Sequence, residues 1–159
     1  MSTRTGLGFD AHRLVLGRPL ILGGITVPYE LGLEGHSDAD ALAHAITDAL
    51  LGAAALGDIG KHFPDTDPQW RGADSMVLLA SSTELVRAAG YGVVNVDATV
   101  ICEQPKLGGF RLRMTECIAA AIGCAEADVN VKFTRGEGMG YVGRGEGIAV
   151  MAIATVRQS

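Results

Sequence analysis

The sequence predicts a single α+β domain over residues 1–159, in which helices pack on one face of a mixed β-sheet. Three observations support this prediction. A chain of 159 residues has the usual length of one domain with one core. Apolar residues make up 48% of the chain and aromatic residues only 5%, so Ala, Val, Ile and Leu must build the core. Helix and strand patterns follow one another with no linker, repeat or low-complexity segment between them.

The N-terminal half is predicted to form two strands and a long helix, at residues 5–14, 19–28 and 38–56. The second strand is expected to turn at Gly23-Gly24. The helix is rich in Ala and Leu and contains no Pro. Ser37 can cap its N-terminus, with Asp40 in the capping-box position, and Gly57 ends it. A polar loop follows and extends to Gly72.

The C-terminal half is predicted to contain two helices and three strands. The helices, at residues 74–89 and 112–122, are each followed by a Gly that stops them. The strands are expected at residues 93–102, 129–134 and 148–156, and a Gly-rich loop joins the last two. This order of elements favours helices that cover one face of a sheet.

Composition and charge argue against several classes of partner. The net charge is −5, and the 13 basic residues do not form the basic stripe that nucleic-acid binding needs. No apolar run approaches the ~18–20 residues of a membrane span, and no signal peptide is recognisable. The three cysteines, Cys102, Cys117 and Cys124, are odd in number and lack metal-binding spacing. We therefore expect free thiols and a cytoplasmic location.

The first candidate site combines a strand with the first helix. Asp10 and His12 are two residues apart on a strand, so both side chains leave the same face. Residues of the same two types recur every fourth position along the helix and the segment before it: His36, Asp40, His44 and Asp48. Burying them without partners would cost several kcal/mol per charge, and a metal ion would give them a common partner. A His/His/Asp set leaves one position open, as catalytic zinc sites do. The alternative is a capping Asp, a surface His and a strand His with no relation to one another.

Two loops are further candidates. Residues 57–68 carry acceptor side chains among Gly and Pro, which suits the binding of polyol hydroxyls, although an ordinary turn region has the same composition. Residues 132–147 are rich in Gly, whose backbone amides can approach an anion closely. Three of their side chains add hydrogen-bond donors: Lys132, Thr134 and Arg135. Glu137 could hold a hard cation such as Mg²⁺ beside phosphates. The alternative here is a flexible connection.

These segments, in this order, resemble the 2-C-methyl-D-erythritol 2,4-cyclodiphosphate synthase family over essentially the whole chain. The matching blocks are residues 6–13, 35–40 with His44, 57–68, 95–97, 105–106 and 143–147. The resemblance implies an enzyme that cyclises 4-diphosphocytidyl-2-C-methyl-D-erythritol 2-phosphate by attack of the 2-phosphate on the β-phosphorus, with loss of CMP. It also implies a homotrimer whose active sites lie at the subunit interfaces.

The resemblance further implies the residues of the site. Zn²⁺ would bind to Asp10, His12 and His44. Asp10 and His12 would also contact the substrate. Mg²⁺ or Mn²⁺ would bind to Glu137. The phosphates would be touched by His36 and Ser37, and by Thr134, Arg135, Gly136 and Glu137. The methylerythritol would be held by Asp58, Ile59, Gly60, Phe63, Pro64, Asp65, Thr66 and Asp67. The cytosine would be held by Cys102, Glu103, Gln104, Pro105, Lys106, Leu107 and Gly108. The substrate or the trimer axis would lie near Tyr141 and Arg144.

The chain departs from the family pattern in two places. Thr134-Arg135-Gly136 stands where most members have two or three consecutive threonines before the acidic metal ligand. We expect Arg135 to direct its guanidinium at the phosphates; the alternative is that it points away and backbone amides take that role. His36 and Arg135 are thus the catalytic candidates. After Pro105-Lys106, the usual Pro-His pair is replaced by Gly109-Phe110.

Two other functions are compatible with these residues. A zinc-dependent phosphohydrolase acting on a nucleotide conjugate would keep the metals but release two open products. A trimeric small-molecule-binding protein would keep the fold without turnover, and loss of a zinc ligand would favour it. All three candidate ligands, Asp10, His12 and His44, are present.

Overall fold

A computed structural model describes all residues, 1–159, and shows a domain built on a five-stranded mixed sheet. Numbered in chain order, the strands are β1 (Thr3–Leu16), β2 (Leu20–Leu22), β3 (Ile25–Val27), β4 (Leu31–Leu33), β5 (Tyr91–Ile101), β6 (Val129–Thr134) and β7 (Gly147–Gln158). The central sheet has the order β4-β1-β7-β5-β6, and β5 and β6 are its only parallel neighbours. Strands β2 and β3 form a separate hairpin.

Helices cover one face of this sheet, as the sequence predicts. The α-helices of the chain are α1 (Ala41–Ala53), α2 (Ile59–His62), α3 (Ser75–Ala88), α4 (Arg111–Ile122) and α5 (Gly140–Gly143). Helix α1 packs on β1 and β7, α3 packs on α1, and α4 packs on α3 and β6. The buried cluster between the layers consists mostly of Ala, Val, Leu and Ile. None of the helices has the length and apolar character that crossing a membrane requires.

Glycines on β1 allow α1 to lie directly on the sheet. A Cβ at Gly8 would stand 1.8 Å from the carbonyl oxygen of Ala45, and a Cβ at Gly6 would meet the next turn of the helix at 2.0 Å. No larger residue fits at either position without moving the helix. Asp10 lies two residues after Gly8 on the strand, and His44 is the residue before Ala45 on the helix. The close approach of the two backbones therefore brings these two side chains together.

The start of α1 differs from the prediction. The helix begins at Ala41, and its N-cap is Asp40, whose Oδ1 accepts a hydrogen bond of 3.0 Å from the Ala43 amide. The predicted capping by Ser37 is wrong, because the residues between it and the helix are not helical. Ser37 lies outside the helix, and its hydroxyl takes part in the site described below.

Other elements differ only in detail. The predicted strand at residues 19–28 is the β2–β3 hairpin, which turns at Gly23-Gly24 as expected. The polar loop contains the short helix α2 and a 3-10 turn at Pro68–Trp70. Strand β4 and helix α5 were not predicted, because three or four residues are too few to display a period. The remaining predicted strands and helices are confirmed, with ends shifted by at most three residues.

Candidate active site

Asp10, His12 and His44 meet where β1 lies against α1. The Asp10 Oδ2 atom lies 2.8 Å from His12 Nε2 and 3.1 Å from His44 Nδ1. The three ligand atoms all lie within 4.8 Å of one another. The structure thus confirms the predicted grouping and excludes the alternative in which these residues are unrelated.

The three ligand atoms of this cluster fit a zinc ion. His12 Nδ1 lies 2.7 Å from the Glu34 carbonyl oxygen, which can only accept, so Nδ1 donates. The other ring nitrogen, Nε2, faces Asp10 and can bind a metal ion when the ring is neutral. His44 approaches Ser75 Oγ with Nε2, at 2.8 Å, and Asp10 with Nδ1. Two imidazole nitrogens and a carboxylate therefore converge on one point. A single cation satisfies all three, and His/His/Asp is a donor set that zinc accepts.

The charges of the cluster favour the same occupant. Burial raises the pKa of Asp10, but the hydrogen bonds with His12 and His44 outweigh it and lower that pKa from 3.8 to about 2. Burial lowers the pKa of His12, but its hydrogen bond with Asp10 outweighs this and raises that pKa. Asp10 is therefore ionised at neutral pH. Its negative charge attracts a cation to this point, either a proton on an imidazole or a metal ion.

A cavity of about 400 Å³ opens onto the cluster. Its other walls come from the segment before α1, from the loop after α1 and from α3: Gly35, His36, Ser37, Ile59, Gly60, Phe63, Pro64, Asp65, Trp70 and Leu78. A second cavity, of about 650 Å³, shares Gly35, His36 and Ser37 with it and extends to Arg18, Thr66 and Arg71. Two of the predicted phosphate contacts, His36 and Ser37, and five residues of the predicted polyol loop therefore line the cavity at the Asp/His cluster.

The predicted cytosine loop forms a separate cavity. Strands β5 and β6 are parallel, so their C-terminal ends meet at one edge of the sheet, and a cavity of about 290 Å³ lies there. It is lined by residues 102–108 together with Arg111, Phe133, Thr134 and Arg135. This cavity shares no lining residue with the one at the Asp/His cluster. Within one chain, the two halves of the predicted site are thus apart.

Comparison with known proteins agrees with this arrangement. A model described as the YgbB family matches residues 3–157. The chain belongs to the YgbB family. Similar proteins include 2-C-methyl-D-erythritol 2,4-cyclodiphosphate synthases from Bordetella petrii, with 57% identity over 98% of this chain and 96% of that protein, and from Laribacter hongkongensis, with 56% identity over 99% and 97%. The family resemblance inferred from the sequence is confirmed.

Solved structures of similar proteins share the fold. The bifunctional IspDF from Campylobacter jejuni superposes with a TM-score of 0.96 and 42% identity, over 99% of this chain and 43% of that chain. A 2C-methyl-D-erythritol-2,4-cyclodiphosphate synthase in its CDP-bound form superposes with a TM-score of 0.89 and 38% identity, over 97% of this chain and 100% of that chain. The single α+β domain of this YgbB-family chain is therefore found also as one part of a longer protein.

The predicted stripe of His and Asp residues does not act as one unit in this YgbB-family chain. Of the four residues in this stripe, only His44 belongs to the Asp/His cluster. Asp40 is fully buried and accepts from three backbone amides, and Asp48 accepts from the Ile59 amide at 2.7 Å. His36 Nε2 lies 3.1 Å from the Asp67 carbonyl oxygen. The argument that the whole stripe needs a metal is therefore wrong, because backbone groups satisfy both carboxylates.

Three residues of the predicted polyol loop do not line the cavity at the Asp/His cluster. Asp58 caps α2 by accepting from the Lys61 amide, and Asp67 caps the following 3-10 turn. Thr66 lines the second cavity and not the one that opens onto the Asp/His cluster. Their roles in binding substrate stay predictions.

The third predicted segment is held in place by contacts with Glu103. Arg135 Nη2 donates to Glu103 Oε1 at 2.9 Å, and Glu103 Oε2 accepts from the Gly136 amide at 2.9 Å. The predicted phosphate contacts at residues 134–137 are thus joined to the predicted cytosine loop, residues 102–108. Glu137 is exposed and has a φ of 53°, which is uncommon for a residue other than Gly.

The last two predicted residues lie near His12. Tyr141 lines a cavity of about 220 Å³ together with His12, Arg13 and Glu146. Arg144 forms an ion pair with Glu146, with an Nε to Oε1 distance of 3.1 Å. The structure thus places both residues just before the start of strand β7.

Sequence reasoning missed two residues that support the site. Arg18 donates to the carbonyl oxygens of Gly35, at 3.1 Å, and Ser37, at 2.9 Å, and so holds the backbone on both sides of His36. Ser75 contacts His44 across 31 residues of sequence. No local period reveals contacts of this kind, because they depend on how separate elements pack.

Proposed function

We propose that this chain catalyses the conversion of 4-diphosphocytidyl-2-C-methyl-D-erythritol 2-phosphate to 2-C-methyl-D-erythritol 2,4-cyclodiphosphate, with release of CMP. One observation carries the proposal. An Asp/His/His cluster opens into a cavity beside His36 and Ser37, in a chain 57% identical to a synthase of that name over 98% of its length. The reaction is an intramolecular phosphoryl transfer, so the protein must mainly position two phosphates and offset their charge.

Two divalent cations fit the residues of the proposed site. Asp10, His12 and His44 would hold Zn²⁺, and Glu137 would hold Mg²⁺ or Mn²⁺. When bound, these cations supply Lewis acidity that neutralises charge on the phosphates. Glu137 suits this role because its carboxylate is exposed and accepts no hydrogen bond from the chain, and oxygen is the ligand atom that Mg²⁺ prefers.

In the proposed step, an oxygen of the 2-phosphate attacks the β-phosphorus and forms a new P–O bond. The bond from the β-phosphorus to the oxygen that bridges it to the α-phosphate breaks, and that oxygen leaves with CMP and keeps the electron pair. The attacking phosphate is already ionised at neutral pH, so the step needs neither a general base nor a covalent enzyme intermediate. His36 and Ser37 bind phosphate oxygens, and Arg18 keeps their backbone in place through two carbonyl groups.

The two ends of the substrate are assigned to different loops. We place the methylerythritol on residues 58–67, because five residues of this loop line the cavity at the Asp/His cluster. We place the cytosine on residues 102–108, because this loop forms a cavity of about 290 Å³, which suits a single base. Main-chain groups of the loop are available for hydrogen bonds to the edge of the base.

Arg135 is assigned to the phosphates in the place of the usual threonine. Its side chain is 60% exposed, and only Nη2 is used by Glu103, so its other guanidinium nitrogens are available to a phosphate oxygen. Glu103 is only 14% exposed and is itself held by the Gly136 amide, so it anchors the guanidinium beside the cytosine loop. A charged planar donor then replaces a neutral hydroxyl.

A homotrimer with shared active sites accounts for two features of the single chain. The substrate must reach both the Asp/His cluster and the 102–108 loop, whose cavities share no residue. On the sheet face opposite α1, exposed apolar side chains form two cross-strand pairs: Leu7 with Ile153, and Phe9 with Met151. An apolar patch of this kind is typical of a surface that another chain covers. Light scattering tests the trimer, and a monomer with full activity would refute shared sites.

A reducing compartment, the cytoplasm, fits the cysteines. All three are free, and Cys102 is buried. Protein denatured and alkylated at the moment of cell lysis is expected to carry an alkyl group on each of its three cysteines, as mass spectrometry would show.

Product analysis tests the proposed reaction. The protein is incubated with the diphosphocytidyl substrate, Zn²⁺ and Mg²⁺, and the products are followed by phosphorus NMR. CMP and one cyclic diphosphate are expected in equal amounts, and a His44→Ala variant is expected to form neither. Two open phosphorylated products would instead identify a phosphohydrolase. Tight binding without turnover would identify a binding protein.

A further inference from the structure

The nitrogen of His44 that points away from Asp10 is the start of a short chain of hydrogen bonds. His44 Nε2 lies 2.8 Å from Oγ of Ser75, the first residue of α3, which is fully buried. The Ser75 hydroxyl is also hydrogen-bonded to the Asp38 carboxylate. Asp38 is held in turn by the backbone amides of Asp40 and Ser75, both at 3.0 Å. The imidazole is thus linked to a fixed carboxylate through one hydroxyl group.

The chemistry of these groups sets the direction of each hydrogen bond. A carboxylate only accepts, so the Ser75 hydroxyl donates its single proton to Asp38. The Ser75 oxygen is then left to accept from His44, whose proton must lie on Nε2. The Ser37 oxygen, 3.1 Å from the same nitrogen, already accepts from the Ala39 amide and offers a second acceptor. In the neutral ring the other nitrogen, Nδ1, then carries the lone pair, and it points at Asp10, where a metal ion would lie.

We propose that Ser75 and Asp38 are positioning residues that hold His44 in the one tautomer able to bind Zn²⁺ through Nδ1. This inference rests on the zinc site of the proposed function. Ser75 does not line the cavity at the cluster and reaches the metal only through His44. The contact partners of a metal-bound histidine fix its ring orientation, and their removal typically lowers metal affinity ~10–100-fold.

Zinc affinity, measured by competition with a chromogenic chelator, tests the proposal. Ser75→Ala is expected to weaken zinc binding ~10–100-fold, and Asp38→Asn is expected to weaken it as well. Ser82→Ala is the matched control, because Ser82 is also fully buried on α3 but its hydroxyl has no hydrogen-bond partner. The control is expected to keep wild-type affinity. Wild-type affinity in Ser75→Ala would overturn the proposal, and so would an equal loss in Ser82→Ala.

A measurement on the unaltered protein keeps the test independent of how the variants fold. Nitrogen-15 NMR of the zinc-loaded wild-type protein, labelled at histidine, reports which His44 nitrogen carries the proton. A proton on Nε2 is expected, and a proton on Nδ1 would overturn the proposal. Both readouts are separate from turnover. A protein with the expected affinities and tautomer that forms no cyclic product would contradict the proposed function and leave this inference standing.

Discussion

Replacing Gly8 by alanine is expected to push helix α1 away from strand β1 and to weaken the zinc site. The new Cβ would stand 1.8 Å from the Ala45 carbonyl oxygen, whereas Cβ contacts under 3.0 Å essentially never occur. The obstacle is backbone, so helix and strand must separate by about 1.2 Å, the difference between these distances. Overpacking typically lowers the free energy of unfolding by about 1–3 kcal/mol, occasionally more. His44 moves with the helix, and zinc ligand distances tolerate changes of only ~0.2 Å.

Urea unfolding followed by circular dichroism, at one protein concentration, measures the stability, and metal analysis measures the bound zinc. Gly52→Ala is the matched control, because Gly52 lies in α1, the helix that Gly8 contacts, but a Cβ there meets nothing within 4 Å. Alanine is the better helix former, so this control is expected to be as stable as wild type or more stable by up to about 1 kcal/mol. A Gly8→Ala protein within about 0.5 kcal/mol of wild type and with its full zinc content would refute the reasoning.

Three further perturbations test other parts of the site. Asp40→Asn is expected to lower the free energy of unfolding by about 1–3 kcal/mol, because an amide cannot accept all three backbone N–H groups that Asp40 accepts. Asp74→Asn is the control, because Asp74 is an exposed helix cap where Asn serves as well, and its free energy of unfolding in urea should differ little from wild type. Equal losses in the two variants would contradict this account. Arg135→Ala is expected to lower kcat ~10²–10³-fold with normal zinc content; wild-type turnover in both Arg135→Ala and Arg135→Thr would make the residue a bystander. Dialysis against a chelator is expected to abolish CMP release, and Zn²⁺ with Mg²⁺ should restore it; full activity in protein shown to be metal-free would exclude the metal roles.

Local patterns in the sequence were sufficient for the fold class, most elements and the family. A strand has a period of two, so Asp10 and His12 had to share a face, and the structure places both beside His44. Each Gly predicted to end α3 or α4 lies just after that helix. Several blocks in a fixed order identified the family without any knowledge of the packing. These features depend on neighbouring residues alone.

Only the tertiary structure decided which polar groups meet. Spacing of four residues put Asp40 and His44 on one stripe, yet Asp40 binds the amides of the β2–β3 hairpin while His44 meets Asp10. Arg135 pairs with Glu103 across 32 residues, and Ser75 reaches His44 across 31. The partner of a buried polar group is set by which backbone or side chain packing brings within about 3 Å. That depends on how closely β1 approaches α1 and where α3 begins, and neither quantity has a signature in the local order of residues.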